Sequence, residues 1–232
     1  MKYHNLILIG SSHIAQESIA KITETFTKSQ PDIVAVELDS NRLHALLSGE
    51  RRTLLLKDIR KVGVKGYLFA QIGSWAEHKL GEGVGVSPGE DMVTAVRLAT
   101  AHKLPVALID QNIAVTLKEF SLHLTWKEKW RFVWDIMKAV FGPKQEIPFD
   151  LRTIPNPKVV RSLTHQVKKR YPNIYKVLVT DRNTFMAKKL AAIMRAEPDK
   201  TILAVVGAGH EEDVINLIKK KLRQEGDSTY PL

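Results

Sequence analysis

Four short runs of branched apolar residues punctuate a chain that otherwise repeats with helical period. They are Leu6-Ile7-Leu8-Ile9, Ile33-Val34-Ala35-Val36, Val106-Ala107-Leu108-Ile109 and Leu203-Ala204-Val205-Val206. Runs of this length, bounded by turn residues, predict buried strands. Between the first two, Ile19, Ile22 and Phe26 recur at helical spacing until Gln30-Pro31 closes the helix. A strand, helix and strand in succession place the two strands parallel, with their carboxyl ends together. A helix through Arg42, Leu43, Leu46 and Leu47 comes next, and a later one runs through Met92, Val96 and Ala99. Before the later helix, Ser87-Pro88-Gly89-Glu90 has the form of a capping box: N-cap serine, proline at the first helical position and glutamate at the third. Residues 50 to 80 predict irregular helix broken at Gly63 and Gly66. The glycine-rich stretch from Gly81 to Val86 follows a helix-like segment and does not fit the dinucleotide fingerprint, so it reads as a loop.

The second half begins differently. From Thr125 to Phe141 the chain carries a stripe of Trp126, Trp130, Val133, Met137 and Val140, widened by Phe132, Trp134 and Ile136. Such a helix must be covered, by the core, by a second subunit in a homodimer through residues 126 to 141, or by a membrane surface. Pro148, Pro155 and Pro157 mark a linker before a helix around Val160, Leu163 and Val167. Pro172 then opens a helix whose stripe is Ile174, Leu178, Phe185, Met186, Leu190 and Ile193. Arg182 falls on that stripe, and a charge on an inner face requires an anion. Glu37, a substrate carboxylate or a developing oxyanion would serve, as would a purely structural salt bridge. Val177-Leu178-Val179 could also be read as a strand, but the length of the pattern favours helix. A last helix carries Val214, Leu217, Ile218 and Leu222.

The chemistry gathers where the strands end. The first and last runs close on the same pattern, Gly10-Ser11-Ser12-His13 and Gly207-Ala208-Gly209-His210, each opening a helix. The second and third close on Glu37 and Asp110. In α/β folds the functional crevice lies beyond the carboxyl ends of the strands, so His13, Glu37, Asp110 and His210 are expected on one rim. The positive end of a helix dipole keeps a nearby imidazole neutral, which is its metal-binding form. Two imidazoles with one or two carboxylates make an N/O ligand set for Zn, Mn, Co or Fe. A plainer reading also stands: each histidine caps its turn, and Glu37 or Asp39 caps the following helix. Glu90 is satisfied locally in its capping box on this reading.

Composition narrows the field. A chain of 232 residues is expected to form one large α/β domain with an inserted helical arm, over residues 120 to 172. With no cysteine there is no disulfide and no thiolate metal site. The formal charge of +10 invites anionic partners, but Arg51-Arg52, Lys168-Lys169-Arg170 and Lys219-Lys220-Lys221 are scattered and lack interleaved aromatics. They read as solvated helix faces, not as a specific nucleic-acid surface. No apolar run reaches the roughly 20 residues of a membrane span, and no signal-peptide layout is seen, so the expectation is a soluble, cytoplasmic protein.

These motifs together resemble those of the TraB/PrgY family, which shares a superfamily with the Tiki proteases and the EreA/ChaN-like fold. The resemblance rests on the two Gly-x-x-His motifs, Val36-Glu37-Leu38-Asp39 with Arg42, Pro88-Gly89-Glu90-Asp91-Met92, Ile109-Asp110 with Thr116-Leu117, and Asp181-Arg182-Asn183 with Met186-Ala187. It implies an α/β three-layer sandwich, its central sheet mostly parallel, with two related halves that each carry one Gly-x-x-His. It also implies a divalent-metal-dependent peptidase with Mn or Co favoured and Zn an alternative, and peptide substrates through relatives linked to pheromone shutdown. Carried over by position, His13, His210 and Glu37 would hold the metal, and Glu37, Arg182 and Asn183 would be catalytic. Gly10, Gly207, Asp110 and Glu90 would line the pocket. Many relatives have a basic residue where this chain has Gln111, and many continue into membrane helices. A non-catalytic peptide- or anion-binding regulator that keeps the pocket is the competing expectation.

Overall fold

A computed structural model describes residues 1–11, 16–48, 89–128, 130–131, 134–135 and 157–224. The predicted segments at 50 to 80 and 81 to 86, and His13 itself, lie outside the described residues. The elements are β1 (Lys2–Tyr3), β2 (Leu6–Ser11), α1 (Gln16–Ser29), β3 (Ile33–Val36), α2 (Ser40–Ser48), α3 (Glu90–Ala101) and β4 (Val106–Leu108). They continue with α4 (Ile113–His123), α5 (Pro157–Arg170), α6 (Pro172–Tyr175), a π-helical turn (Lys176–Thr180), α7 (Asp181–Ala196), β5 (Ile202–Gly207) and α8 (Glu211–Gln224).

The fold is mixed α/β around a five-stranded sheet in the order β1-β2-β5-β3-β4. Only the short edge strand β1 runs antiparallel; β2, β5, β3 and β4 are parallel. All six residues of β5 are buried, as expected of a central strand with helices over both faces. Alternation along the strands feeds two cores. Leu6, Leu8, Ala35, Ile202, Ala204 and Val206 pack with Met186, Leu190 and Met194 of α7 and Val214, Ile218 and Leu222 of α8. Val34, Val36, Leu203 and Val205 face the other way, onto Ile22 and Phe26 of α1 and Met92, Val96 and Ala99 of α3.

The register fixes the rim. Ser11 lies opposite Gly207, Val36 opposite Val205 and Leu108, so the carboxyl ends of four parallel strands finish together. Gly10 pairs with Val206 and not with Gly207; the glycines of the two repeats sit one residue out of step across the ladder. A Cβ on Gly10 would stand 2.4 Å from Glu211 Oε2 and 3.1 Å from the Ala208 Cα. Glycine there lets the turn that carries His210 cross close above β2.

One predicted helix start is corrected. The α3 helix begins at Glu90, and its N-cap is Gly89 at φ 87° with no side-chain cap, so Glu90 is not the third residue of a serine-capped helix. The reason is local: glycine tolerates the left-handed turn, and a Cβ at Gly89 would stand 3.1 Å from the Leu46 side chain. The helix opening at Pro172 does run on through α7, and Val177-Leu178-Val179 forms its π turn, not a strand.

Candidate functional site

Each side chain on the rim is placed by the end of an element. Glu37 follows β3 directly and is 3% exposed; its backbone N–H donates to the Val205 carbonyl at 3.0 Å. Its Oε2 accepts the Gly207 backbone N–H at 2.6 Å, and its Oε1 accepts a short bond from Arg182 Nη2. A buried carboxylate is costly unless bonded and charge-matched, and both conditions are met here.

Arg182 comes from the first turn of α7, just past the π turn, where the Asp181 N–H reaches back five residues to the Lys176 carbonyl. A widened turn of this kind displaces the following side chains along the helix and often accompanies functional sites. The guanidinium spans two strand ends: Nε donates to Asp110 Oδ1 at 3.0 Å, Nη2 to Asp110 Oδ2 at 2.7 Å as well as to Glu37, and Nη1 to the Leu178 carbonyl at 3.2 Å. Four of the roughly five guanidinium N–H groups are thereby spoken for. Burial opposes the charged form, but the Glu37 charge and the bonds and charge of Asp110 outweigh it and hold the Arg182 pKa above its ordinary value.

Asp110 is saturated in turn. Its Oδ1 also accepts the Gln111 N–H at 2.8 Å, and its Oδ2 accepts Arg42 Nη1 at 3.2 Å. Arg42 thus supplies a second cation beside Asp110, whereas Gln111 turns its amide to Thr116 Oγ1 at 2.6 Å. Asp39 serves α2, accepting the backbone N–H groups of Asn41 at 2.8 Å and Arg42 at 3.3 Å. The capping reading therefore holds for Asp39, while Glu37 belongs to the rim.

His210 sits in the turn between β5 and α8, with its carbonyl accepting the Val214 N–H at 2.9 Å. Asn183 fixes its ring. Asn183 Nδ2 donates to Asp213 Oδ2 at 3.2 Å, which turns the amide oxygen toward His210 Nδ1 at 2.5 Å. Nδ1 then carries a proton for the Asn183 amide oxygen, and Nε2 stands 3.4 Å from Glu37 Oε1, an approach of two acceptors that is favourable only with a proton or a cation between them. Asp213 has a second donor in the Tyr175 hydroxyl, whose pKa is raised first by burial and then by the charge and hydrogen bond of Asp213. Neither Asp213 nor Tyr175 was expected from the sequence. The signal was present, since an acid three residues after His210 falls in the first turn of α8.

The structure therefore joins Glu37, Arg182, Asn183, Asp110, Gly207 and His210 of the predicted set. Gly10 underlies the His210 turn. Glu90 lies apart in its bonding, its Oε1 accepting Arg97 Nη1 at 2.9 Å on the surface of α3. Its neighbour Asp91 is the buried one, accepting a bond of 2.5 Å from the Ser11 hydroxyl at the end of β2.

Whether this rim suits a divalent cation turns on its donors. His210 Nε2 and Glu37 Oε1 form an N/O pair, and two donors each about 2.1 Å from one tetrahedral ion lie about 3.4 Å apart, close to the spacing seen. Asn183 on the other ring nitrogen is the outer support that ligating histidines carry. Among the described residues, however, no three His, Asp or Glu side chains gather as a metal cluster. A cation would need a further donor, and it would share Glu37 with Arg182.

A parallel α/β sheet with a buried, charge-matched rim of Glu, Arg, Asp, Asn and His defines the class, and the comparisons identify the family. The model of the TraB/PrgY/gumN family matches residues 2–226, and the chain belongs to that family. It is 32% identical over 220 residues to an uncharacterised protein of Methanocaldococcus jannaschii, covering 93% of this chain and 54% of that protein. TraB domain-containing proteins of Bos taurus and Homo sapiens are 24% and 23% identical over 229 residues, covering 88% of this chain and 59% and 60% of theirs. The chain thus spans between half and three fifths of the length of these relatives.

Proposed function

We propose that the chain is a hydrolase of peptide bonds that works with a divalent cation, Mn or Co in preference to Zn, at the carboxyl rim of the sheet. One observation carries this reading: His210 has its Nδ1 held by Asn183 and its Nε2 turned to the Glu37 carboxylate. Such a pair can hold a cation or take a proton from water. His210 and Glu37 would hold the ion, with His13 as the further donor. A bound ion would supply Lewis acidity to the site. Glu37 would serve either as a ligand of the ion or as the general base of this scheme. Asn183 keeps the imidazole in its working tautomer. Arg182 holds Glu37 and Asp110 in place, and its remaining N–H can meet a developing oxyanion. The test is cleavage of a peptide library by the purified chain with added Mn or Co. Turnover abolished by His210→Ala and by chelator is expected; full activity in folded His210→Ala would sink the reading.

A second reading has its own support. Both Glu37 oxygens are engaged and Asp110 is saturated, as in a structural brace. A regulator that binds a peptide on this face without cleaving it would keep such a brace. It predicts saturable peptide binding, no product over time and indifference to chelator.

A further inference from the structure

The orientation of one buried amide decides which nitrogen of His210 carries a proton. Asn183 is 1% exposed, and the two atoms of its amide meet different partners: Oδ1 lies 2.5 Å from His210 Nδ1, and Nδ2 donates to Asp213 Oδ2 at 3.2 Å. The same amide has a reversed state. Nδ2 would then donate to His210 Nδ1, the ring proton would leave Nδ1 for Nε2, and Nε2–H would donate to Glu37 Oε1, which lies 3.4 Å away. The reversed state satisfies His210 and Glu37 with no ion between them. A site that keeps Nε2 open for an ion must exclude it.

We propose that Asp213 excludes the reversed amide and is the positioning residue that reserves His210 Nε2 for the ion. A carboxylate only accepts, so in the reversed amide the Asn183 oxygen would face the Asp213 oxygens with no proton between them. In the observed amide the same contact is a charge-assisted hydrogen bond. Asp213 is itself seated, because it also accepts the Tyr175 hydroxyl. Tyr175 is 7% exposed and ends α6, which Glu128 holds by accepting the Asn173 N–H and Asn173 Nδ2, each at 2.8 Å. The competing role for Asp213 is general: an acid in the first turn of α8 complements the helix dipole, a role that Glu211 and Glu212 share. Only the positioning role reaches the ring of His210. Asp213 is exposed to solvent, so water weakens its field, and its hold on the amide is a bias and not a lock. The proposal rests on the reading of His210 and Glu37 as the pair that holds the ion.

The test locates the ring proton of His210 by proton–nitrogen correlation NMR on the full, nitrogen-labelled, metal-free chain at about pH 8, above the ordinary histidine pKa of about 6.5. The His210 signals are assigned by their loss in His210→Gln. The wild type should carry a proton on Nδ1. Asp213→Ala should move it to Nε2 in a large share of the molecules while the chain stays folded, since only an exposed side chain is removed. Adding Asn183→Asp to Asp213→Ala should return the proton to Nδ1, because a carboxylate has no donor to turn toward the ring. In zinc titrations Asp213→Ala should weaken binding by about tenfold. A ring proton that stays on Nδ1 in Asp213→Ala overturns the proposal and leaves Asp213 to the helix dipole. So does a wild type with Nε2 protonated and Nδ1 bare, or a zinc affinity that Asp213→Ala leaves unchanged. A wild type that takes up no zinc but shows the shift of the ring proton sinks the proposed function and leaves the positioning of His210 by Asp213 standing.

Discussion

The rim of the sheet and the tryptophan helix both reverse the usual partition of polar and apolar groups, but they do so in different ways. On the rim Glu37, Asp110 and Arg182 are taken out of water and repay that cost by bonding to one another. On the tryptophan helix Glu128 and Asp135 anchor the inner face, while the large apolar rings face outward. The charges of the rim are paired within the chain. The rings of Trp126, Trp130 and Trp134 stay 70%, 69% and 63% exposed. The lesson is that a misplaced residue informs about function only after its partners are counted.

Removing the guanidinium is the severest way to break this contrast. Arg182→Met leaves two buried carboxylates without their shared cation and should cost about 3–5 kcal/mol in denaturant unfolding. Asp110→Asn keeps the shape and should cost less, because Arg182 retains Glu37. Next in size is Gly10→Ala, where the new Cβ must displace Glu211 and press on the Ala208 backbone; a loss of about 1–3 kcal/mol is expected. If Gly10→Ala were neutral, the close crossing of the His210 turn over β2 would be wrong.

Glu128 should matter by a comparable but smaller amount, and with a pH signature. Burial raises its pKa, yet the hydrogen bonds from Asn173 and Thr125 outweigh that and hold it below the ordinary glutamate value. A folded-state pKa below the unfolded one means its stabilisation is complete above the unfolded value and is lost as pH falls through the folded one. Glu128→Gln should therefore lower stability at neutral pH by about 1–2 kcal/mol and flatten the acid limb of the stability profile. An unchanged acid limb would show that the inner face of the tryptophan helix is not anchored as described. The smallest effect is expected outside: each tryptophan-to-alanine change should leave stability within about 0.5 kcal/mol, since those rings are largely exposed.

The four parallel strands were legible because four apolar runs admit few other readings, and their parallel direction follows from the connections between them; the two-residue antiparallel strand β1 was not. Their order was not: nothing in the residues says that β5 inserts between β2 and β3. Arg182 was legible as a charge on an apolar stripe, and its partner Glu37 as an acid at a strand end. That Asp110 would take up most of its remaining bonds was not, since a two-residue bend beyond β4 decides it. Asn183 and Asp213 become partners through packing of α7 on α8, a contact with no local signature. The tryptophan stripe left its orientation open for a related reason. Periodicity reveals that a helix has an apolar face, but only the polar contacts of Glu128, Arg131 and Asp135 decide which face turns inward.

The cation proposed at His210 and Glu37 is tested most directly by calorimetric titration of the purified chain with Mn, Co and Zn, wild type beside His13→Ala with His210→Ala. One equivalent bound by the wild type, and none by the folded double variant, is the predicted result. A folded wild type that binds no divalent ion would contradict it and leave the saturated rim as a brace.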